Sequence, residues 1–323
     1  MLRKIKDALG RWRDSSELGA NVFSIIRTVL LKFLQFIPDE QYAKLFYKVY
    51  TGKKLNLENP RRFNEKLWWL KLNNRDSLLT KCSDKHSVRK YVSDCGYPEI
   101  LIPQLDVFDS ANEIVFSKYD IPVVLKCNKD SGGIVFFDPK DKTFNERIAR
   151  KHLSRALRGK YYLISREWNY KNIPPKIVVD KEIRDKAGNL PSDYRFFCFD
   201  GVPKLLMMDF GVMSNDGHHQ FEFPRNIYDM DFNLLPIRFG RDNYKGKVNK
   251  PENFEKMVEI ARKLSQPFPM VRVDLYNLDG KIYFGELTFY HGGCCQEITP
   301  DRWDYRMGSW IDLNSKKIKR KKE

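Results

Sequence analysis

Three charged residues stand among apolar neighbours and suggest a chemical role. Arg272 and Asp274 lie in one apolar segment and Glu286 lies in the next, with the turn-forming pair Asp279-Gly280 between them. Both segments are rich in β-branched and aromatic residues, which predicts two strands of a hairpin with at least one buried face. A carboxylate on a buried face is costly unless it meets a cation or a metal ion. The pattern therefore favours a Mg²⁺-nucleotide site.

The register of this hairpin decides whether the two acids share a face, because opposed residues of an antiparallel pair point to the same side. A two-residue loop at Asp279-Gly280 would put Glu286 on the face opposite to Asp274. A three-residue loop, 278–280, would instead gather Arg272, Asp274, Glu286 and Thr288 on one face. We therefore predict the three-residue loop, with a bulge at Gly280, which suits the left-handed position of such loops. A two-residue turn without another bulge would separate the acids.

Two further segments carry polar residues at the ends of apolar strands. Lys126 lies near the end of the apolar run 121–128, beside a loop with Ser131, Gly132 and Gly133. A buried-strand lysine needs an anion, and a glycine-rich loop lets backbone N–H groups approach phosphates. A lysine that extends to water beside a plain turn is the alternative. Asp180 follows the apolar run 177–179, where a hinge between two lobes and an ordinary strand end fit equally well.

The periodicity of the apolar residues predicts the elements that position these groups. Helices are expected over 63–75, 83–95 (closed by Gly96), 145–157 and 252–264. Strands are expected at 100–102, 121–128, 134–137 and 177–179, and a second hairpin at 194–199 and 202–208. Helices followed by strands with interspersed helices predict an α+β protein with mixed or antiparallel sheets.

Composition and charge narrow the class of partner. The chain has 323 residues and a formal net charge of +16, which allows two domains and suits anionic partners. It has no RNA-recognition or zinc-finger pattern, so nucleic acid is not an expected partner. The six cysteines form no Cys-x-x-Cys pair, which favours reduced thiols in a cytoplasmic protein.

Both ends of the chain are basic. The stretch Val22 to Ile37 is apolar at helical spacing, but Arg27 and Lys32 interrupt it, so it is too short and too charged to span a bilayer. It is interpreted as an amphipathic helix that packs on the core, with a membrane surface as the alternative. No signal peptide is expected. The run 316–322 is predicted to be a solvated or membrane-touching tail.

Six segments, in order along the chain, resemble the TupA-like ATP-grasp family. They are Asn59 to Leu67, Asp84 to Arg89, Val124 to Asn128, Glu167 to Ile173, Asp193 to Gly201 and Arg272 to Phe289. The resemblance spans about residues 40–313. It implies an ATP-grasp fold, in which two α+β lobes grip ATP, after an N-terminal helical region. The implied divisions are an N-terminal helical region (1–58), a helical segment before the ATP-grasp domain (59–120), that domain (121–313) and a basic tail (314–323).

The resemblance also implies roles for individual residues. Lys126 and Arg272 would be catalytic. The nucleotide would contact Lys126, Ser131, Gly132, Gly133, Asp180, Lys181 and Ile183. Asp274, Glu286 and Thr288 would hold Mg²⁺. Asp84, Lys85, Arg89 and Arg195 are candidates for binding the acceptor, although a salt bridge at a helix start is an equal alternative for the first three.

The implied activity is that of an ATP-dependent carboxylate–amine ligase of bacterial cell-surface polysaccharide (capsule or O-antigen) synthesis. A uronic-acid carboxylate, on a saccharide, sugar nucleotide or lipid-linked intermediate, would form an acyl phosphate, and an amino acid or amine would displace the phosphate. The enzyme would be cytoplasmic, with peripheral contact to the inner membrane left open. The alternatives are an ATP-grasp sugar kinase, a glycosyltransferase with an Asp-x-Asp motif at Asp229-Met230-Asp231, and a non-catalytic membrane-associated scaffold.

Overall fold

The computed structural model describes residues 34–130, 132–212 and 222–320. Most of the N-terminal amphipathic stretch, and Ser131 of the glycine-rich loop, lie outside the described residues. Among the described helices, none has the length and apolar composition needed to cross a membrane.

Within the described residues, four helices precede the first strand, and groups of strands and helices follow. The helices are α1 (Asp39–Thr51), α2 (Phe63–Asn73), α3 (Ser77–Ser83), α4 (Val88–Asp94), α5 (Glu146–Arg158), α6 (Tyr161–Ser165), α7 (Phe254–Ser265) and α8 (Arg302–Ser309). The strands are β1 (Gln104–Phe108), β2 (Val123–Cys127), β3 (Ile134–Phe137), β4 (Ile177–Lys181), β5 (Asp193–Phe199), β6 (Val202–Asp209), β7 (Arg225–Tyr228), β8 (Arg238–Phe239), β9 (Met270–Leu278), β10 (Lys281–Thr288) and β11 (Ile298–Thr299). Short 3₁₀ turns include Pro98–Ile100, Trp168–Tyr170 and His291–Cys294.

Two antiparallel sheets form the frame. The four-stranded sheet has the order β1-β4-β2-β3 and the five-stranded sheet has the order β10-β9-β5-β6-β7. Each sheet belongs to a separate hydrophobic core, a smaller one under the four strands and a larger one under the five. The α+β prediction is confirmed, and the separate cores give the two lobes.

Alternation along β2 and β4 directs polar side chains to the open face of the small sheet. Val123 and Leu125 are fully buried in the small core, and Lys126, the residue after Leu125, is half-buried on the other face. Strand β4 runs antiparallel to β2 and pairs Asp180 with Val124. Lys126 and Asp180 therefore share the face that points away from the core.

The larger sheet repeats this arrangement. Val271, Val273 and Leu275 of β9 are fully buried in the large core. Helix α7 covers them with an apolar stripe at helical spacing, which includes Met257 and Ile260. The residues between them, such as Arg272 and Asp274, therefore lie on the opposite face.

The β9–β10 hairpin differs from the predicted loop but keeps the predicted face. Leu278 pairs with Lys281 across a two-residue turn, so the prediction of a three-residue loop with a bulge at Gly280 is wrong. Both turn residues, Asp279 and Gly280, have positive φ, at 51° and 85°, as a two-residue hairpin turn requires.

A bulge further along the strand restores the shared face. The register shifts between Phe284 and Glu286, so that Glu286 pairs with Asp274 and Thr288 pairs with Arg272. The extra residue is Gly285, where a Cβ atom would lie 2.9 Å from the carbonyl oxygen of Asp274. The backbones approach too closely for any other residue to fit without a shift. The prediction that the four side chains share one face is confirmed.

Two other predicted elements are wrong. The segment 83–95, expected to be one helix, contains the end of α3, a turn and α4. The Asp84 carboxylate accepts hydrogen bonds from the His86 N–H and the Ser87 hydroxyl, and this turns the chain between the two helices.

The strand expected at 100–102 is a 3₁₀ turn that begins at Pro98, and the strand starts instead at Gln104. That strand, β1, extends the small sheet beside β4.

The described part of the basic tail packs on the protein, against the prediction of a solvated or membrane-touching tail. Ile318 is buried, and the Lys319 N–H donates to the Asn74 side chain at 3.1 Å. The Lys317 ammonium lies 2.6 Å from Asp200. One apolar residue within the basic run thus anchors the segment up to residue 320.

Candidate active site

A cleft of about 250 Å³ lies between the polar faces of the two sheets. The small sheet contributes Lys126 and Asp180, and the large sheet contributes Arg195, Asp274 and Glu286. Apolar side chains complete the lining; they include Val88, Leu101, Ile102, Ile134, Phe284 and Leu287. An apolar wall beside charged groups of both signs suits a ligand with a flat base and an anionic end.

Two lysines enter the cleft from the side of the small sheet. The Lys126 ammonium lies 3.2 Å from Asp180 Oδ2. Lys85 comes from the turn between α3 and α4 and donates to the carbonyl oxygen of Asp130 in the glycine-rich loop. Burial lowers the pKa of Lys85, although Glu286 across the cleft opposes this effect. Both ammonium groups are available to an anion that enters between the lobes.

The hairpin acids meet in one partly buried ion cluster. The Arg272 guanidinium donates from Nε to Asp274 Oδ1 at 2.7 Å and from Nη2 to Glu286 Oε1 at 3.0 Å. The Thr288 hydroxyl donates to the same Glu286 oxygen at 2.8 Å. The Asp274 side chain is 4% exposed and the Glu286 side chain is 50% exposed, so Glu286 is the more open of the two acids.

The cluster continues across the whole sheet as a charge ladder, which comprises Glu286, Arg272, Asp274, Arg195, Asp209 and Arg225. Arg195 pairs with Asp274 across β5 and β9, with its Nε atom 3.7 Å from Asp274 Oδ2. It also lies 2.6 Å from Asp193 and contacts Asp209. Arg225 on the edge strand donates to Asp209 at 2.8 Å. Acids and bases therefore alternate on adjacent strands, and each buried charge meets an opposite one.

The pKa values follow from burial and from these neighbours. Burial raises the pKa of Asp274 to about 6, although Arg272 opposes the rise. Burial would also raise the pKa of Glu286, but Arg272 and Lys85 outweigh it and lower that pKa. Burial favours the neutral form of Asp193 and raises its pKa. Of these three acids, Glu286 is the one whose neighbours lower its pKa and favour its charged form.

A buried histidine fixes the orientation of Arg272. His291 Nδ1 lies 2.8 Å from Arg272 Nη1, and a guanidinium can only donate, so the imidazole accepts this hydrogen bond. Burial and the charges of Arg272 and Arg225 hold the pKa of His291 well below its usual range. The ring is therefore neutral and serves Arg272 as an acceptor.

The carboxylates fit a hydrated magnesium ion. Within the described residues, no group of three or more His, Cys, Asp or Glu side chains is arranged to hold a metal ion. Mg²⁺, however, commonly takes one or two carboxylates and completes its shell with substrate phosphates and water. Glu286 and Asp274 pair directly across β9 and β10. Both Asp274 oxygens accept from Arg272, whereas the two hydrogen bonds that Glu286 accepts from described residues share Oε1 and leave Oε2 as the more open hard oxygen. The donor chemistry therefore fits Mg²⁺ in the company of phosphates.

Two buried polar atoms of the cleft have no hydrogen-bond partner among the described residues. They are Asp180 Oδ1, an acceptor on the small-lobe side, and Arg195 Nε, a donor on the large-lobe side. A buried polar atom without a hydrogen bond is costly, so both atoms favour a polar ligand or water in the cleft.

A family model described as TupA-like ATPgrasp matches residues 65–312, which is most of the chain. The chain belongs to the TupA-like ATP-grasp family. The predicted family and the predicted ATP-grasp fold are confirmed. ATP is accordingly the nucleotide of this ATP-grasp protein.

Solved structures show distant similarity to this ATP-grasp chain. D-alanine–D-alanine ligase from Bacillus anthracis, complexed with ATP, is 16% identical with a TM-score of 0.36, over 68% of this chain and 57% of that one. D-alanine–D-alanine ligase from Helicobacter pylori is 11% identical with a TM-score of 0.41, over 79% and 68%. D-cycloserine synthetase DcsG is 14% identical with a TM-score of 0.40, over 72% and 70%. No curated protein matches the chain.

The residues predicted to bind ATP fall into two groups. Lys126 and Asp180 line the ATP-grasp cleft. Lys181 is exposed and Ile183 is half-buried, and neither lines the cleft in the part of the chain that is described. Gly133 packs tightly, since a Cβ atom there would lie 2.4 Å from that of Ala156, whereas a Cβ atom at Gly132 would meet no atom within 4 Å.

The residues predicted to bind the acceptor also fall into two groups, those that line the cleft and one that lies beside it. Lys85, Arg89 and Arg195 line the cleft. Asp84 is buried beside it, where its carboxylate accepts from the Asn128 amide at 2.8 Å and from the turn described above. The predicted catalytic Arg272 and the predicted metal ligand Thr288 contact the cleft through Glu286.

Sequence reasoning did not single out several charged residues near the ATP-grasp cleft. Asp193 and Asp209 both contact Arg195, and Arg225 contacts Asp209. The contacts of Asp209 form only because strand pairing brings β5, β6 and β7 together. One signal was available, since charged residues at alternate positions of an apolar strand must face a polar partner. Asp193 and Arg195 have that spacing in β5, as Arg272 and Asp274 have in β9.

Proposed function

We propose that the protein joins an amino acid or amine to a uronic-acid carboxylate in cell-surface polysaccharide synthesis, with ATP and Mg²⁺, at the cytoplasmic side of the inner membrane. The observation that carries the proposal is the cleft itself. Lys85 and Lys126 face Arg195, Asp274 and Glu286 across it, so cations and metal-binding acids meet at one point between two lobes.

The cations suit the phosphates of ATP and the carboxylate of the acceptor. Lys126 and Lys85 approach from the glycine-rich side, where the triphosphate of an ATP-grasp enzyme is expected. Arg195 and Arg272 approach from the other sheet and stabilise the negative charge that develops during phosphoryl transfer. Asp274 and Glu286 would hold Mg²⁺, which would neutralise charge on the phosphate oxygens.

The proposed reaction has two balanced steps. A carboxylate oxygen of the acceptor bonds to the γ-phosphorus, and the bridging oxygen leaves with ADP. The amine nitrogen then bonds to the acyl carbon, phosphate leaves with the electron pair of the C–O bond, and the nitrogen loses a proton to solvent. Neither step requires a protein nucleophile, and catalysis rests on positioning and charge stabilisation.

The test is ADP formation with a panel of uronic acids and amino acids, with products identified by mass spectrometry. We expect ADP and an amide to appear together, and Asp274→Asn to reduce the rate by about 100-fold or more, because a ligand of the metal is lost. Asp242→Asn is the matched control, since the Asp242 side chain is 91% exposed and contacts only Arg238 among the described residues. An Asp274→Asn variant with an unchanged rate would refute the proposed site.

The sugar kinase is the alternative that retains the same ATP site. Hydroxylamine distinguishes the two activities, because it intercepts an acyl phosphate as a hydroxamate and does not react in this way with a sugar phosphate ester. A hydroxamate supports the ligase, and ADP with a stable sugar phosphate supports the kinase. The Asp229-Met230-Asp231 motif favours no glycosyltransferase, since Asp229 Oδ1 accepts from the Asp231 and Asn233 N–H groups and closes a turn.

A further inference from the structure

A second cavity of about 720 Å³ lies beside the cleft and is larger than it. It opens between the segment before α1 and the chain from α5 to the Trp168–Tyr170 turn. Its lining combines aromatic rings with cations; it includes Phe36, Lys129, Lys160, Tyr161, Tyr162 and Lys171. We call it the side cavity.

Tyr170 forms the partition between the side cavity and the cleft, since it lines both. Its ring packs edge-to-face against Tyr161 at 5.2 Å. Burial and the nearby carboxylates of Glu167 and Glu286 raise its pKa well above the usual value, so the hydroxyl keeps its proton. A ligand that passes Tyr170 from the side cavity thus arrives beside Glu286 and Arg272.

The lysines of the side cavity lack counter-charges. Within the described residues, Lys129, Lys160 and Lys171 take part in no ion pair, and the Lys171 ammonium lies 5.3 Å from the centre of the Tyr162 ring. The carboxylate in the lining, Asp39, is already 3.2 Å from Arg166. The cavity therefore has an excess of positive charge beside flat aromatic faces.

We propose that the side cavity binds the part of the acceptor that does not react, and that this part carries at least one further anionic group. The inference rests on the proposed function. The reacting carboxylate must reach the cleft, where Arg195 and Arg272 lie, so it cannot also meet three lysines on the far side of Tyr170. Those lysines match additional acid groups, while the tyrosine rings match the apolar faces of sugar rings. The substrate class is thus a saccharide with more than one negative charge.

Binding measurements test the proposal without turnover. Calorimetry would compare galacturonate, trigalacturonate and UDP-glucuronate in the presence of Mg²⁺ and ADP. We expect trigalacturonate or UDP-glucuronate to bind the wild-type protein at least tenfold more tightly than galacturonate. The Lys160→Met/Lys171→Met double variant should lose most of this advantage, and Lys160→Arg/Lys171→Arg should retain it, because the charge is kept.

The two probes distinguish the source of the extra charge. Preference for trigalacturonate assigns the lysines to neighbouring uronates of an oligosaccharide, and preference for UDP-glucuronate assigns them to a diphosphate. Lys118→Met/Lys140→Met is the matched control, with two exposed lysines removed away from both cavities.

The outcomes separate this inference from the proposed function. If neither probe binds more tightly than galacturonate, or if the double variant keeps the preference, the side cavity is not the acceptor site. If the wild-type protein fails to bind ADP, the proposed function itself fails. Retained ADP binding in the double variant shows that the cleft is intact.

Discussion

At the scale of single residues, a charged side chain can be buried only where opposite charges and hydrogen bonds offset its loss of water. Glu167 is 6% exposed, and its closest side-chain donor among the described residues is the Tyr161 hydroxyl at 3.4 Å. Burial raises the pKa of Glu167 to about 7, although Lys71 opposes the rise. Lys71 is 1% exposed and donates to the carbonyl oxygen of Ser165 at 3.1 Å. The charged form of Glu167 is therefore poorly stabilised by its neighbours, unlike that of Asp209 in the charge ladder.

We predict that Glu167 makes folding weaken as pH rises. Below about pH 4.5 the carboxyl is protonated in both states. Between that value and about 7 the unfolded chain releases the proton while the folded protein retains it, so stability falls across this window. Urea unfolding at several pH values between 5 and 8 gives the free energy of unfolding. This free energy should fall by roughly 2–3 kcal/mol less in Glu167→Gln than in the wild-type protein. The exposed Glu58→Gln control should keep the wild-type slope.

A second prediction concerns a fully compensated acid. The Asp209 side chain has no exposed area and contacts both Arg195 and Arg225, which outweigh burial and lower its pKa. Asp209→Asn should destabilise the protein by about 3–5 kcal/mol in urea unfolding, because the buried Arg225 loses its counter-charge and Arg195 keeps only Asp193 and Asp274. The control Asp242→Asn, which removes one partner of an exposed ion pair, should lower the free energy of unfolding by less than about 1 kcal/mol. A small loss for Asp209→Asn would show that the ladder contributes little.

At the scale of elements, a single bulge determines whether the hairpin can form the site. The turn at Asp279-Gly280 alone would put Glu286 opposite Val273, on the core side. The extra residue Gly285 shifts the strand by one position, and Glu286 pairs with Asp274 instead. The face that carries Arg272, Asp274 and Glu286 thus depends on backbone geometry several residues away from the turn.

We predict that Gly285→Ala lowers both stability and activity. The added Cβ atom would lie 2.9 Å from a backbone oxygen, which a rotamer change cannot relieve. We expect a loss of about 1–3 kcal/mol in thermal unfolding, with a larger proportional loss of ADP formation. Gly132→Ala, where a Cβ atom meets nothing within 4 Å, controls for stability. Equal melting temperatures for the two variants would contradict the packing argument.

The hairpin also shows what the sequence can and cannot reveal. Apolar and aromatic runs bounded by turn residues correctly predicted β2, β4, β5, β9 and β10. The hairpin pattern also predicted that Arg272, Asp274 and Glu286 share a face. It could not locate the bulge, since Gly280 and Gly285 both satisfy the local pattern and the choice depends on contacts with Asp274.

At the scale of the whole molecule, ATP would lie between two lobes with unequal cores. The small core comprises chiefly residues of β2, β4 and α5, and the large core extends from α1 to Ile318. Partners from distant segments meet only in the folded chain, such as Lys85 and Glu286. Sequence spacing therefore could not predict the complete charge ladder or the side cavity.

We predict that the small lobe unfolds locally more readily than the large lobe, and that bound nucleotide stabilises it. Hydrogen exchange should be faster for amides of β2 and β3 than for those of β5 and β9, because their core is smaller. Mg-ATP should slow exchange in β2 and β3, and at 100 times its dissociation constant it should stabilise the fold by about 2.7 kcal/mol.

The matched pair for this experiment is Lys126→Met and Lys118→Met. The first removes a cation of the cleft and should abolish the protection by Mg-ATP, whereas the second removes an exposed lysine paired with Asp106. Protection that spreads evenly over both lobes, or that survives in Lys126→Met, would argue against nucleotide between the lobes.

The bulge has a consequence for changes in chain length. Deleting Gly285 would leave a regular ladder in which Phe284 still opposes Leu275 and Glu286 still opposes Asp274. Inserting one residue beside it would reverse the parity of the strand and send Glu286 towards the core. Deleting Gly285 should therefore lower stability less than inserting a residue or replacing the glycine. Deletions are usually more damaging than point substitutions, so this order would be the reverse of the usual one.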